Sequence, residues 1–258
     1  MSSKLLFIHD SKYEVMDGLW AALNLLENDF QVDRHNLQAG TVEFRDYDFI
    51  LGWGGFNSPV DNYIKHFPGK KGLCIGGNAF PLTEGYDIYF YETEWSKKHL
   101  KLPSNSVHAF GINSDLYNQP QLPFPMIWDY IGVGSLSYWK RWEKMADKQG
   151  MKLVVGEFQK DNVAESSRIV NHLLSSGIMV SPMVNPYDLA NFYHWSRTLY
   201  IPSEVNGGGE RAVLEARACG LKVEIENDNP KLKELLTSPI WDEKYYAEQL
   251  KKGILSVL

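Results

Sequence analysis

Cysteine is scarce. The 258 residues hold two, Cys74 and Cys219, far apart and in apolar or small-residue surroundings. That excludes a disulfide framework and points to a reduced, cytoplasmic setting. Long apolar runs are missing too. No stretch approaches the roughly 20 residues that cross a bilayer, so neither a span nor stable membrane insertion is expected. The start, Met1-Ser2-Ser3-Lys4, leads directly into Leu5-Leu6-Phe7-Ile8, a run too short for a signal peptide. Positive charge is not in excess: 26 Lys and Arg face 32 Asp and Glu, a formal net charge of −6. This balance disfavours non-specific adhesion to nucleic acid or to anionic membrane. The seven histidines (His9, His35, His66, His99, His108, His172 and His194) show no metal-ligand spacing, and no Ser-His-Asp pattern is legible. No internal repeat and no low-complexity segment occurs.

What is there is core material in a regular order. Hydrophobic residues make up 44%, with 12 Phe, 14 Tyr and 8 Trp. Short apolar strands alternate with amphipathic helices. Strands are expected over 4–9, 30–36, 48–53, 72–75 and 88–91, and helices over 17–27 and 60–66. Gln119 to Pro125 then holds three prolines in seven residues, an extended linker. The pattern restarts with strands over 130–133, 152–156, 179–182, 198–202 and 222–225. Helices fall over 139–149, 163–175, 186–194, 210–218, 229–236 and 242–257, the last interrupted at Gly253. This predicts an α/β protein of two doubly wound parallel-sheet halves, 1–122 and 123–258, with the last helix free to pack back on the N-terminal half. Two such halves facing a central cleft place a ligand at the C-terminal ends of the strands.

The most informative segment runs from Tyr200 to Gly220. It reads as a strand ending in Pro202-Ser203, a loop with Gly207-Gly208-Gly209, and a helix from Glu210. Consecutive glycines let backbone approach a ligand closely and adopt positive φ. The following helix aims free N–H groups and a partial positive charge at the loop. That is an anion site suited to a pyrophosphate. Glu215, one turn beyond Arg211, is a candidate acceptor for ribose hydroxyls.

The segment resembles the retaining GT-B glycosyltransferases of the large family 4 type. These share Pro-Ser, a Glu-x-Phe-Gly loop and Leu-Glu-Ala-x-Ala-Cys-Gly, and Val213 to Gly220 is close to the last of these. Other stretches are similar in the same order. They are Ala109 to Tyr117 before the linker, Val133-Gly134-Ser135-Leu136 with Lys140-Arg141, Val154 to Glu157, and Pro186 to Tyr193. The resemblance implies sugar transfer from a UDP- or GDP-linked donor, with retention and without a metal or other cofactor. It implies that Lys140 neutralises the donor diphosphate with Arg141 beside it and that Glu215 holds the ribose. Backbone of Gly207, Gly208, Gly209, Glu210, Arg211, Ala212 and Val213 would bind sugar and phosphate. Gly18, opening the first helix, would approach donor phosphate from the N-terminal, acceptor-side half. Trp53-Gly54-Gly55-Phe56, Gly76-Gly77-Asn78, Glu92 and Glu94 end strands of that half, where acceptor is expected.

Two positions depart from the family. Its first motif glutamate falls on Gly207, leaving Glu204 or Glu210 to replace it; its phosphate-loop arginine falls on Ser135, so Arg141 is left to compensate. Glu210 and Lys140 are the catalytic candidates. The departures also leave open a non-catalytic nucleotide- or carbohydrate-binding protein of the same fold. Gly132-Val133-Gly134 imitates a dinucleotide fingerprint, but the third glycine position holds Ser137. Asp46-Tyr47-Asp48 imitates the Asp-x-Asp metal motif of the other glycosyltransferase fold, but precedes a buried-strand run and reads as a loop. The acceptor and the oligomeric state are not legible. A soluble acceptor is favoured, because 17–27 is acidic. The compact length also fits a viral or phage enzyme acting on nucleic acid or a surface polymer, with Lys65, Lys70, Lys71, Lys97 and Lys98 as its contacts.

Overall fold

Each apolar run of the first half becomes a parallel strand in a computed structural model that describes residues 3–10, 17–76, 82–120 and 124–258. Two compact units form. One comprises Met1–Asn113 with Trp241–Leu258, and the other Ser114–Ile240.

The first unit holds β1 (Lys4–His9), β2 (Gln31–Asn36), β3 (Phe49–Gly54), β4 (Lys70–Ile75), β5 (Ile88–Tyr91) and β6 (Ser106–His108). Their order is β2-β1-β3-β4-β5-β6, every pair parallel. The pleat sorts neighbours to opposite faces. Leu5, Phe7, Phe49 and Leu51 pack with Leu19, Ala22, Leu23 and Leu26 of α1 (Gly18–Leu26) and with Tyr246, Leu250 and Ile254 of the closing helix, Glu243–Leu255. Leu6, Ile8 and Ile50 pack the other way, onto Val60 and Ile64 of α2 (Pro59–Ile64). The closing helix passes through Gly253 unbroken, because the missing side chain makes room for Phe90 and Ile88.

The second unit holds β7 (Trp128–Ser135), β8 (Lys152–Glu157), β9 (Met179–Pro182), β10 (Ser196–Ile201) and β11 (Lys222–Ile225), in the parallel order β11-β10-β7-β8-β9, with α4 (Val163–Ser175) and α5 (Pro186–His194) between its strands. The chain runs outward from β7 to β9, then returns to the other side of β7 for β10. That reversal is a topological switch point, where open α/β sheets take ligands.

Several expectations change. The break expected at 122/123 borders residues 121–123, outside the described residues, as are Gly77 and Asn78. The first unit ends at Asn113 and takes back the closing helix. The helix expected over 139–149 is instead two 3-10 segments, Tyr138–Lys140 and Trp142–Asp147, broken at Arg141 with φ 51° and ψ 42°. Side-chain packing overrides helix propensity there: Trp142 is 1% exposed and its indole N–H donates to the Ser135 carbonyl at 2.8 Å. Glu94 does not end a strand. It opens α3 (Glu94–His99), capped by the Thr93 hydroxyl, which accepts from the Ser96 N–H. The strand β6 was not foreseen. Asp48 of the Asp-x-Asp triplet accepts the Lys4 amide at 2.8 Å, and Tyr47 donates to Asp33. The lysine clusters are partly committed: Lys71 is buried with its ammonium on the Lys65 and Phe67 carbonyls, Lys70 pairs with Asp87, and Lys97 lies over the Tyr91 ring.

Gly18 is a packing residue of the first unit. A Cβ there would stand 1.9 Å from the Gly111 carbonyl oxygen. Gly18→Ala is therefore expected to destabilise the chain by about 1–3 kcal/mol, since backbone cannot yield cheaply. A lower urea midpoint would show it; an unchanged midpoint would contradict the close approach.

Candidate functional site

The site assembles at the switch point of the second unit, from the loops after β7 and β10 and from α6 (Glu210–Ala218). Gly134 ends β7 with φ +148°, and a Cβ there would fall 2.7 Å from the Lys140 Cε and Nζ. Glycine thus leaves the space through which the Lys140 side chain runs. Lys140 is 5% exposed, and its ammonium lies 3.8 Å from the Cβ position of Gly208. The Gly208 and Gly209 φ angles, +66° and +121°, are left-handed values that only glycine takes without strain. Gly209 is the N-cap of α6 and supplies no side-chain cap. The first-turn N–H groups of Arg211 and Ala212 therefore point at the loop, while that of Glu210 donates to its own carboxylate. Val213 is withdrawn from that set: it is fully buried and its N–H donates to the Gly209 carbonyl at 3.0 Å.

Two buried cations, Lys231 and Lys140, act on one carboxylate. Glu210 is 7% exposed and ion-paired at 2.5 Å with Lys231, which is fully buried. Arg211 and Lys231 both bear on Lys140. Burial tends to raise the Glu210 carboxyl, but Lys231 and Lys140 outweigh it and hold it below the usual carboxylate range. Burial pushes the Lys140 ammonium down to about 8, with Glu210 opposing and Lys231 and Arg211 adding to the shift. The cluster carries more positive than negative charge, beside an uncapped helix start. An anion of two or more charges is its natural ligand.

The other candidates are placed differently. Arg141 is tied into the protein. Its guanidinium makes two bonds to Asp228, at 2.6 and 2.8 Å, and its Nε–H donates to the Pro202 carbonyl at 2.7 Å. The Asp228 carboxyl is held at about 2 by that arginine. Gly207 has no room for the family's glutamate: a Cβ would meet the Trp139 carbonyl oxygen at 2.4 Å. Ser135 is half-buried, its hydroxyl 3.0 Å from that of Ser137. Glu204 opens the turn before the glycines and donates its N–H to the Trp139 carbonyl. Glu215 is 4% exposed, and its Oε2 accepts the Tyr193 hydroxyl at 2.9 Å. Burial, followed by the charge of Glu215, pushes the Tyr193 hydroxyl well above its ordinary value.

Lys231 was missed from sequence. The sequence predicts only a helix over 229–236 there. Asn229 is its cap, accepting from Leu232, but its amide also donates to the Ser203 and Glu204 carbonyls at 3.0 and 3.1 Å. This ties α7 (Pro230–Thr237) to the loop after β10 and sets Lys231 beneath Glu210. Among the described residues no group of three or more His, Cys, Asp or Glu side chains is placed to hold a metal.

No protein-family model and no curated protein matches the chain. Solved structures do. Sucrose-phosphate synthase from Thermosynechococcus elongatus is similar with a TM-score of 0.66 at 14% identity, over 99% of this chain and 94% of that one. AviGT4, a glycosyltransferase involved in avilamycin A biosynthesis, matches with 0.66 at 12% identity, over 99% and 98%. HepE from Anabaena, in complex with UDP and glucose, matches with 0.64 at 12% identity, over 98% and 89%. The chain has the two-domain, Rossmann-like GT-B fold. At such identity the likeness concerns fold alone, and fold does not choose a reaction.

The cluster makes a pH-dependent claim. Lys140 is charged below about 8 and loses its proton as pH rises through that value. Between pH about 7.5 and about 8.5 the UDP phosphates are ionised and the uracil N3–H is still protonated. Titration calorimetry should find UDP affinity falling across that window, and flat over it in Lys140→Met. An equal decline in the variant would place the titrating group elsewhere.

Proposed function

We propose that the chain is a glycosyltransferase that moves a sugar from a UDP- or GDP-linked donor to an acceptor hydroxyl, with retention of configuration and without a metal. One observation carries the reading: the buried Lys140 ammonium stands against Gly208 beside the uncapped start of α6. The GT-B fold, and the UDP and glucose bound by HepE, support the same reading.

The chemistry follows from charge. Breaking the bond between the anomeric carbon and the β-phosphate oxygen leaves a nucleoside diphosphate with an added negative charge. Cations fixed in a water-poor site stabilise that charge without reorganising. Lys140 takes that role, and the N–H groups of Gly208, Gly209, Arg211 and Ala212 share it. Glu210 is the counter-charge that holds the cations in place. The acceptor oxygen forms the new bond on the same face and passes its proton to the departing phosphate. Glu215 is assigned to the ribose, which then shares the carboxylate with the Tyr193 hydroxyl. Ser135 stays in the proposal as a hydroxyl contact to the donor. Arg141, committed to Asp228, holds the loop.

A second reading has its own observation. Gly207 leaves no space for an acidic side chain at the family's motif position, which favours a protein that binds nucleotide or carbohydrate without turnover. Incubation with UDP- and GDP-sugars and a panel of acceptors separates the two. Transfer, or slow donor hydrolysis, is expected, with the product anomer matching the donor by NMR and with activity retained in EDTA. Binding without turnover on any donor would favour the second reading. Loss in EDTA restored by Mn²⁺ would overturn the metal-free mechanism.

A further inference from the structure

The glycine loop has a second side. Gly208 faces Lys140, whereas Gly207 lines a cavity of about 280 Å³ that opens among Ser135, Tyr138, Trp139, Asn162, Glu165 and Asn206. The charge there is of the other sign. Among the described residues, the ionisable carboxylates on its wall are Asp161 and Glu165, and neither lysine nor arginine lines it. A diphosphate belongs on the cationic side and is repelled here.

The wall is amphipathic. The Tyr138 and Trp139 rings lie 4.2 Å apart at 35° and stay 51% and 36% exposed. Around them stand fixed polar groups. The Glu165 carboxylate accepts from the Tyr138 N–H and from the Asn162 amide, both at 2.6 Å. The Ser135 and Ser137 hydroxyls meet at 3.0 Å, leaving lone pairs toward the cavity. Both Glu165 oxygens have donors, so its charge is spread over neutral groups and a bare cation gains little. Apolar rings beside preset hydroxyl, amide and carboxylate groups suit a neutral molecule with one apolar face and an edge of hydroxyls. The volume is at the small end for ligand cavities and admits a single ring.

We infer that this cavity is a saccharide subsite, in which one uncharged sugar ring rests on Tyr138 and Trp139. Its place in catalysis rests on the transferase reading; its binding of sugar does not. The ring belongs either to the donor or to the acceptor, and the test separates these sources. Full-length protein is titrated with UDP, with UDP-glucose and with free glucose, galactose, mannose and their disaccharides. Two variants are compared, Trp139→Ala and Gln159→Ala. Gln159 is a lining residue whose loss threatens the fold less, and thermal midpoints check folding of both.

UDP affinity should stay unchanged in both variants, while saccharide affinity falls about tenfold or more in Trp139→Ala and severalfold in Gln159→Ala. A loss confined to UDP-glucose assigns the cavity to the transferred sugar. A loss confined to free saccharide assigns it to the acceptor. The inference is overturned if both folded variants bind every sugar ligand as wild type does, or if wild type binds no free saccharide and the variants leave UDP-glucose unchanged. Wild-type binding of free saccharide but not of UDP would sink the transferase reading and leave the subsite standing.

Discussion

The second unit's chemistry depends on one buried ion pair, Lys231 with Glu210. A carboxylate that deep is costly unless paired, and a lysine more so. Together they are nearly neutral, and that lets a third charge, Lys140, come into the same buried space. Without Glu210, two buried ammonium groups would repel each other and shed protons. Without Lys231, Glu210 would close on Lys140 and cancel it. The pair therefore keeps Lys140 charged yet available below about 8.

Backbone geometry does the rest. Gly134 gives the Lys140 chain its path, Gly208 and Gly209 turn the loop left-handed, and Gly207 fits under the Trp139 carbonyl. Each glycine is required by a different neighbour. Asn229 fastens the loop to α7, and the Arg141–Asp228 pair fastens the 3-10 turns to the segment before it. The loop is thus held from three sides, and its two faces differ in charge: cations toward Gly208, carboxylates and aromatic rings toward Gly207.

Much of this was legible in the sequence. Apolar runs such as Phe49-Ile50-Leu51 and Val154-Val155 fix strands by period and length, and their alternation with helices fixes the parallel fold. Gly207-Gly208-Gly209 before a helix marked the loop as the candidate anion site. Local pattern could not give what long-range packing decides. The Trp142 indole on Ser135 breaks an apolar helical pattern, and Arg141 finds Asp228 87 positions away. Lys231 carries no local signal because its partner, Glu210, lies a whole strand earlier. The closing helix packs in the first unit against Phe90 and Ile88, contacts that local pattern does not specify.

The central claim is that the Lys140 cluster binds a diphosphate, and the comparison of UDP with uridine tests it most directly. Uridine offers base and ribose but no charge, so the affinity ratio isolates the phosphates. Wild type is expected to prefer UDP by roughly a hundredfold or more, about 2.7 kcal/mol or above. In Lys140→Met that ratio should shrink at least tenfold, with uridine affinity unchanged. A ratio unaltered by the substitution would contradict the account and move the diphosphate away from the glycine loop.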